Sequence, residues 1–459
     1  MNDIPHAPAP SATLGAAPRP VLSVFDGAMI VVGIVIGAGI FRTPSMVAGV
    51  TGSVDWMLAA WVLGGVLSLI GALCYAELAS TFPNAGGDYH FLTRAYGRDV
   101  SFFFAWARVA VITTGSIALL AFVFGDYMSR VVSLGPDSSA IYAAITVIVL
   151  TVLNIIGLRE SSRAQNVLTI LEVSGLLLVT LAGLLATAPA VAPAAAAAAP
   201  SSGVPPLFGL AMVFVLLTYG GWNEGAYISA EVKGGPRAIV RTLVVAIVVI
   251  TVVYLAFVLA VLNGLGLSGM QASKAVGADV MQAAFGPLGA QLIGVIVGIA
   301  TLTSINATMI VGARTNYALG RDWPQLSFMS RWQGTRNVPI VAFFVQGGIA
   351  LALVGFGALQ KDGFSSMVEF TAPVFWFFFL LTGLALLVLR FREPTIARPF
   401  KVPLYPILPI IFIATCGYLF YSSVTYAQSK QAVSIALYVM LAGLIVWGLL
   451  RLTRKRNLR

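Results

Sequence analysis

Gly33-Ile34-Val35-Ile36-Gly37-Ala38-Gly39-Ile40-Phe41, followed at once by Arg42-Thr43-Pro44, is the stretch on which the fold turns. It lies inside an apolar run, yet its glycines weaken the helix that would pair its backbone. In hydrocarbon every N–H and C=O must find a partner within the protein, so a break is tolerated only where it is buried or lines a cavity. The spacing predicts two half-helices meeting at Gly37-Ala38-Gly39. Pro44 then falls in the first turn of the second half, where N–H groups lack intrahelical partners anyway.

Composition makes this a membrane question. The chain has 459 residues, 59% hydrophobic and only 10% charged. A soluble domain carries roughly 25% charged residues, so there are too few here to cover a water-facing surface. Apolar runs of about 20 residues recur from end to end, each able to cross about 30 Å of hydrocarbon. The runs are continuous rather than alternating, which excludes an amphipathic β-barrel. The expected fold class is an all-α polytopic membrane protein of about twelve transmembrane helices, at 22–48, 54–81, 97–130, 138–157, 165–187, 206–232, 238–263, 287–318, 338–357, 364–390, 404–425 and 431–452.

Charge sets the orientation. With the N-terminus inside, 22 of the 27 Lys and Arg residues fall on the cytoplasmic side. Only Arg130, Lys274, Lys361 and Lys430 fall outside, and Arg42 lies within the first span. This is the positive-inside pattern of an inner-membrane protein with both termini cytoplasmic. The net charge of +10 is absorbed by that pattern, so no nucleic-acid partner is expected; the partner is the lipid bilayer. Cys74 and Cys416 sit in apolar runs and imply no disulfide framework. The chain divides into a disordered cytoplasmic tail (1–20), a first group of five spans (21–190), an outer Ala/Pro loop (191–205), a second group of five (206–392), two further spans (393–452) and a basic cytoplasmic tail (453–459).

The sixth span repeats the oddity of the first. Thr218-Tyr219-Gly220-Gly221-Trp222-Asn223-Glu224 puts two glycines and several polar groups at membrane depth. Close helix packing would explain either glycine cluster alone. Spans one and six correspond, however, if spans 1–5 and 6–10 are repeats, and five spans per repeat force an inverted 5+5 arrangement with discontinuous helices 1 and 6. Interrupted segments in corresponding positions of two halves point to a transporter binding site. The first span runs outward, so its inner half ends near Ile36 with free carbonyls and its outer half starts near Gly39 with free N–H groups. Those N–H groups and the positive end of the helix dipole suit a carboxylate. The outer half of the sixth span ends near Tyr219 with carbonyls, which with those of the first break suit an ammonium group. A ligand with both groups adjacent is an α-amino acid.

Several motifs then resemble a known family. Gly37-Ala38-Gly39-Ile40-Phe41, Cys74-Tyr75-Ala76-Glu77-Leu78 with Phe82-Pro83, and Gly86-Gly87-Asp88-Tyr89 are similar to those of the amino acid–polyamine–organocation (APC) superfamily. Tyr219-Gly220-Gly221-Trp222-Asn223, Ala230-Glu231-Val232-Lys233 and residues Arg398 to Pro406 resemble its L-type amino acid transporter branch. The resemblance covers about residues 22 to 425 and implies the inverted-repeat fold named after the leucine transporter, alternating access and sodium-independent handling of amino acids. It implies substrate contacts at Gly37, Ala38 and Gly39 and at Gly220 and Asn223; with Ile36, Ile40, Leu217 and Tyr219 beside the breaks, these make up the expected substrate site. Two positions depart from the pattern: Leu217 stands where L-type members often place a gating Phe, and Glu172 where the family commonly has Lys.

If the fifth span starts near Arg163, Glu172 lies about 14 Å along it, close to the midplane. An ionisable residue there is by default a functional-site hypothesis. A carboxyl donates a hydrogen bond to the first break only when protonated, which makes Glu172 a candidate proton-coupling site. A contact to a cationic substrate group and a structural pair with an internal Arg remain open. Ser304 and Asn306 on the eighth span are the other coupling-ion candidates, or else form an interhelical hydrogen bond. Asp26, Glu77 and Glu231 lie near cytoplasmic span ends and are expected to act in gating through ion pairs with loop arginines, while Leu217 occupies the outer-gate position.

Enzyme chemistry finds little support. The only histidines are His6 in the tail and His90 in a cytoplasmic loop, and no metal-protease, Walker or Cys–His spacing occurs. No metal, cofactor or obligate protein partner is expected. The expected function is secondary transport of amino acids, coupled to protons through Glu172. Obligate exchange of amino acids or polyamines without protons, or a non-transporting sensor, are the alternatives.

Overall fold

The computed structural model describes residues 23–83, 87–156, 162–186, 204–223, 233–331, 339–427 and 429–456. Among them every regular element is helical. In chain order these are α1 (Val24–Val35), α2 (Thr43–Thr51), α3 (Val54–Thr81), α4 (Gly87–Tyr96), α5 (Arg98–Ala107), α6 (Thr113–Val131), α7 (Ser138–Ile156) and α8 (Ser162–Leu185). They continue with α9 (Phe208–Thr218), α10 (Gly235–Ala272), α11 (Val276–Asp322), α12 (Ile340–Ala358), α13 (Gly363–Arg392), α14 (Ile407–Thr425) and α15 (Lys430–Arg456).

Nine helices among the described residues are long and apolar enough to cross a membrane. α1, α2 and α9 are not. With 12, 9 and 11 residues, they reach only about 18, 14 and 16 Å at the helical rise. α5 and α6 form one crossing joined through a single π-turn, Arg108–Ile112. π-turns interrupt the hydrogen-bond ladder and concentrate at functional sites. α10 and α11 each carry a kink at a glycine that only a residue without Cβ adopts easily: Gly266 at φ 66° and Gly286 at φ 71°, the latter followed by Pro287. The helix that follows the kink in α11 thus starts at Pro287, where the expected eighth span, 287–318, begins.

An inner group carries the architecture. The most apolar stretches of Arg98–Val131 and Gly363–Arg392 are 67% and 61% buried inside the bundle, against 17% for Lys430–Leu452, which leaves α15 facing lipid. α10 is the hub, packed by α1, α2, α3 and α8, while α11 packs on α6 and α8. Close approach is bought with small residues, as in membrane helix pairs generally. A Cβ on Gly64 of α3 would sit 2.4 Å from Val215 of α9, one on Gly65 2.5 Å from Thr251 of α10, and one on Gly71 2.8 Å from Trp222. These glycines let α3 close on α9, on α10 and on the residue that follows the second break. Trp222 itself packs edge-on to Tyr75 at 5.1 Å and Phe379 at 5.8 Å, an aromatic anchor for the chain leaving that break.

Candidate functional site

The first break is compact. α1 stops at Val35, and Gly37 turns to extended backbone (φ −104°, ψ 178°) with its N–H folded back onto the Val35 carbonyl at 2.7 Å. A 3-10 turn, Ala38–Phe41, follows, in which Ile40 N donates to Gly37 O at 3.3 Å and Arg42 N to Gly39 O at 3.0 Å. The opening N–H groups of such a turn, those of residues 38 and 39, have no intrahelical acceptor. α2 then begins at Thr43, with Pro44 in its first turn. A Cβ on Gly39 would approach only Thr218, at 4.0 Å, so space lies beside this backbone.

The second break faces it. α9 ends at Thr218, and Tyr219 and Gly220 turn tightly, donating to Val215 O and Leu217 O at 2.9 and 3.1 Å. Gly221 takes the left-handed conformation at φ 110°. Two links tie the breaks together. Thr43 Oγ1 lies 2.6 Å from Thr218 Oγ1. The Tyr254 hydroxyl of α10 lies 2.7 Å from Val35 O and 3.2 Å from Thr218 O, so its one hydrogen serves the final carbonyls of both α1 and α9. The Phe41 carbonyl is likewise held by Tyr127 Oη at 3.0 Å, and that oxygen accepts from Gly277 N at 3.1 Å.

One cavity of about 380 Å³ reaches both breaks. That falls in the range of small-molecule sites, about 300–1,000 Å³. Of the residues expected to contact substrate, Gly37, Gly39, Leu217, Gly220 and Asn223 line it. Ile36, Ile40 and Tyr219 are buried instead at 1%, 0% and 0% exposure, with Tyr219 Oη donating to Trp61 O at 3.2 Å. The side chain of Ala38 lies outside the described residues. The opposite walls mix hydroxyls (Thr113, Ser116, Thr308, Thr371) with apolar groups such as Ile112, Leu120, Val311 and Phe375. Asp88 and Arg108 line it too, and the Asp88 carboxylate accepts from Tyr75 Oη at 2.6 Å. The cavity thus extends from the breaks along the π-turn toward α4 and α5, the end of the bundle that carries Arg94 and Arg98.

The coupling candidates separate. Glu172 is buried on α8, which packs between α10 and α11, and its Oε1 has no hydrogen-bond partner. It does not line the cavity but lies near enough to Tyr254 to interact with it electrostatically. Asn306 Oδ1 accepts from Asn154 Nδ2 of α7 at 2.7 Å, and neither it nor half-buried Ser304 lines the cavity; Ala307, Thr308 and Val311 of α11 do. Among the gating candidates, Glu77 is 1% exposed and pairs with Arg390, with Arg398 at 3.5 Å and with Val402 N at 2.7 Å. The Asp26 side chain and Glu231 lie outside the described residues.

Tyr254, Thr43 and Tyr127 were not singled out from the sequence. A lone Tyr in an apolar run such as 245–262 reads equally as packing, and only the 219-residue contact with Val35 gives it a role.

Comparison with known proteins gives the family. The sequence profile described as "Amino acid permease" matches residues 22–450. The chain is 28% identical over 433 residues to the mouse (Mus musculus) b(0,+)-type amino acid transporter 1, covering 93% of this chain and 87% of that protein. It is 27% identical over 425 residues to the serine/threonine exchanger SteT of Bacillus subtilis (strain 168), covering 91% and 94%. It is also 27% identical over 453 residues to the mouse large neutral amino acids transporter small subunit 2, covering 97% and 83%. The chain belongs to the amino acid permease family of the APC superfamily: it is a multi-pass membrane transporter of amino acids and not an enzyme.

Proposed function

We propose that this permease moves neutral amino acids by alternating access, with the substrate's α-carboxylate and α-ammonium held by backbone at the two breaks. The observation that carries the proposal is the single cavity lined by Gly37 and Gly39 from one break and by Gly220 and Asn223 from the other. N–H groups at residues 38 and 39 suit the carboxylate. Carbonyls near Gly37 and Gly220 and the Asn223 amide suit the ammonium. The Val35 and Thr218 carbonyls, held by Tyr254, frame the site rather than receive substrate. Hydroxyl and apolar walls suit a neutral side chain, as do the names of two relatives, a serine/threonine exchanger and a large neutral amino acid transporter.

The topology is read as twelve crossings. To the nine long helices are added α1 with α2, α8, and α9 with the chain that follows it. Spans 1–5 and 6–10 form the inverted pair, and both termini are cytoplasmic, as the distribution of Lys and Arg supports. In that orientation the cavity extends toward the cytoplasm. Glu172 is the proton-coupling residue: buried on α8 with Oε1 unbonded, it can donate a hydrogen bond only when protonated, so proton uptake and release change what it can hold. Strict exchange without protons is the second reading, favoured by the exchanger SteT.

The test is uptake into proteoliposomes with a labelled amino-acid panel, with and without a pH gradient and internal substrate. Saturable, L-selective uptake of neutral amino acids is expected. Flux that rises linearly with concentration, or is equal for both enantiomers, would mark a channel.

A further inference from the structure

We propose that Arg42 is a positioning residue of the transport cycle: it locks α2 against α6, the α10–α11 turn and the start of α13, keeping the end of the path opposite the cavity shut. Its side chain is 2% exposed, although the residue sits directly between the 3-10 turn and α2. Each part of the guanidinium addresses a different element. One terminal nitrogen pairs with Asp362, the residue that caps α13 by accepting from Ser365 N at 3.0 Å. The other donates to the Ser273 carbonyl at 2.8 Å and to Ser45 Oγ at 3.4 Å. Nε lies 3.6 Å from Asp126 of α6.

The turn carrying Ser273 is held from both directions. Its carbonyl also accepts from Ser45 Oγ at 2.5 Å, while its hydroxyl donates to Asp279 at 2.6 Å. Asp279 is itself paired with Arg130 at 3.0 Å. None of Arg42, Asp126, Ser273 or Asp362 lines the cavity. Passage on this side requires α2 to part from these partners.

Three arguments make this a transport element rather than a static brace. A planar fork that hydrogen-bonds two elements at once and faces a carboxylate of a third is a role that arginine fills better than lysine. Two charges taken out of water are stable together and costly apart, so the cluster is intact or open with little between. The neighbour Thr43 bears the hydroxyl contact to Thr218 in the second break, so any displacement of α2 is felt at the substrate site.

The proposal rests on the transporter reading above, and its test needs no transport. Met46, half-buried on α2 with its sulfur 3.6 Å from Ser365 Oγ, is replaced by Cys and labelled in sealed vesicles with a membrane-impermeant thiol reagent. Arg42→Gln should raise the labelling rate roughly tenfold, the equivalent of one lost charged hydrogen bond. Asp362→Asn should do the same, Arg42→Lys should fall between, and the Arg42→Gln, Asp362→Asn double variant should add little to either single change. Unchanged labelling in a monodisperse Arg42→Gln protein, or fully additive effects in the double variant, would overturn the proposal. Should Arg42→Gln not fold, Asp362→Asn and Asp126→Asn give the same reading. Raised labelling in a protein that moves no amino acid would keep the lock and sink the transporter reading instead.

Discussion

Tyr254 shows how much one hydroxyl organises. It is fully buried, packed 5.8 Å from Trp61 and 5.1 Å from Tyr219, and it bonds the last carbonyl of each interrupted helix. Removing only that oxygen leaves the aromatic packing intact. Tyr254→Phe should therefore cost roughly 0.5–1.5 kcal/mol of stability, while raising KM several-fold because the two breaks lose one of their two links. Thermal unfolding and proteoliposome uptake on the same preparation check both parts. Glu172, beside it, makes a different prediction. Glu172→Gln keeps the shape and a donor but cannot ionise. It should abolish uptake driven by a pH gradient and spare exchange; unchanged pH dependence in the variant would contradict a proton role. The partners of Tyr254 were not legible in the sequence. Glu172 drew notice because a carboxyl at membrane depth is expensive. Tyr254 drew none, since an amphipathic aromatic in an apolar run costs nothing to explain.

At the scale of elements, the interruptions were readable because lipid makes them conspicuous: glycines inside apolar runs at 37–39 and 220–221 leave backbone that water cannot satisfy. Their inner geometry was not. The 3-10 turn, the extended Gly37 and the π-turn at Arg108–Ile112 depend on neighbours far along the chain, and propensity carries no trace of them. α3 shows the same limit. Gly64, Gly65 and Gly71 look like ordinary membrane-helix glycines, but each lies against a named side chain of the substrate half of the fold. Gly64→Ala puts a Cβ 2.4 Å from Val215 and 3.1 Å from the Tyr219 ring, neither able to retreat far. It should destabilise the protein by about 1–3 kcal/mol, seen as a lower melting temperature in detergent. Gly49, with nothing within 4 Å of its added Cβ, is the control: Gly49→Ala should leave the melting temperature unchanged or raised.

Over the whole molecule, long-range pairs decide what local reading left open. The all-helical membrane fold class followed from hydropathy, which is cumulative along the chain. The ion pairs at its two ends followed only in part: Glu77 was expected to meet an arginine, but neither pairing partner could be named, because Arg42 meets Asp362 across 320 residues and Glu77 meets Arg390 across 313. The second pair ties α3 to the end of α13, and Arg398 and Val402 N bring in the loop that follows; a neutral Glu77→Gln leaves Arg398 buried without its counter-ion. Lower stability is expected from that change even where the substrate site is untouched. Between the two ends lies the cavity, and Gly37, Gly39 and Gly220 keep its wall open at the breaks. The most direct measurement is uptake of labelled neutral L-amino acids into proteoliposomes bearing wild-type protein or Gly39→Leu, each shown to be monodisperse. A leucine at this position fills the space between the 3-10 turn and Thr218. Saturable uptake by the wild type and its loss in Gly39→Leu is the predicted result, whereas uptake surviving in Gly39→Leu with unaltered KM would contradict a substrate site at the paired breaks.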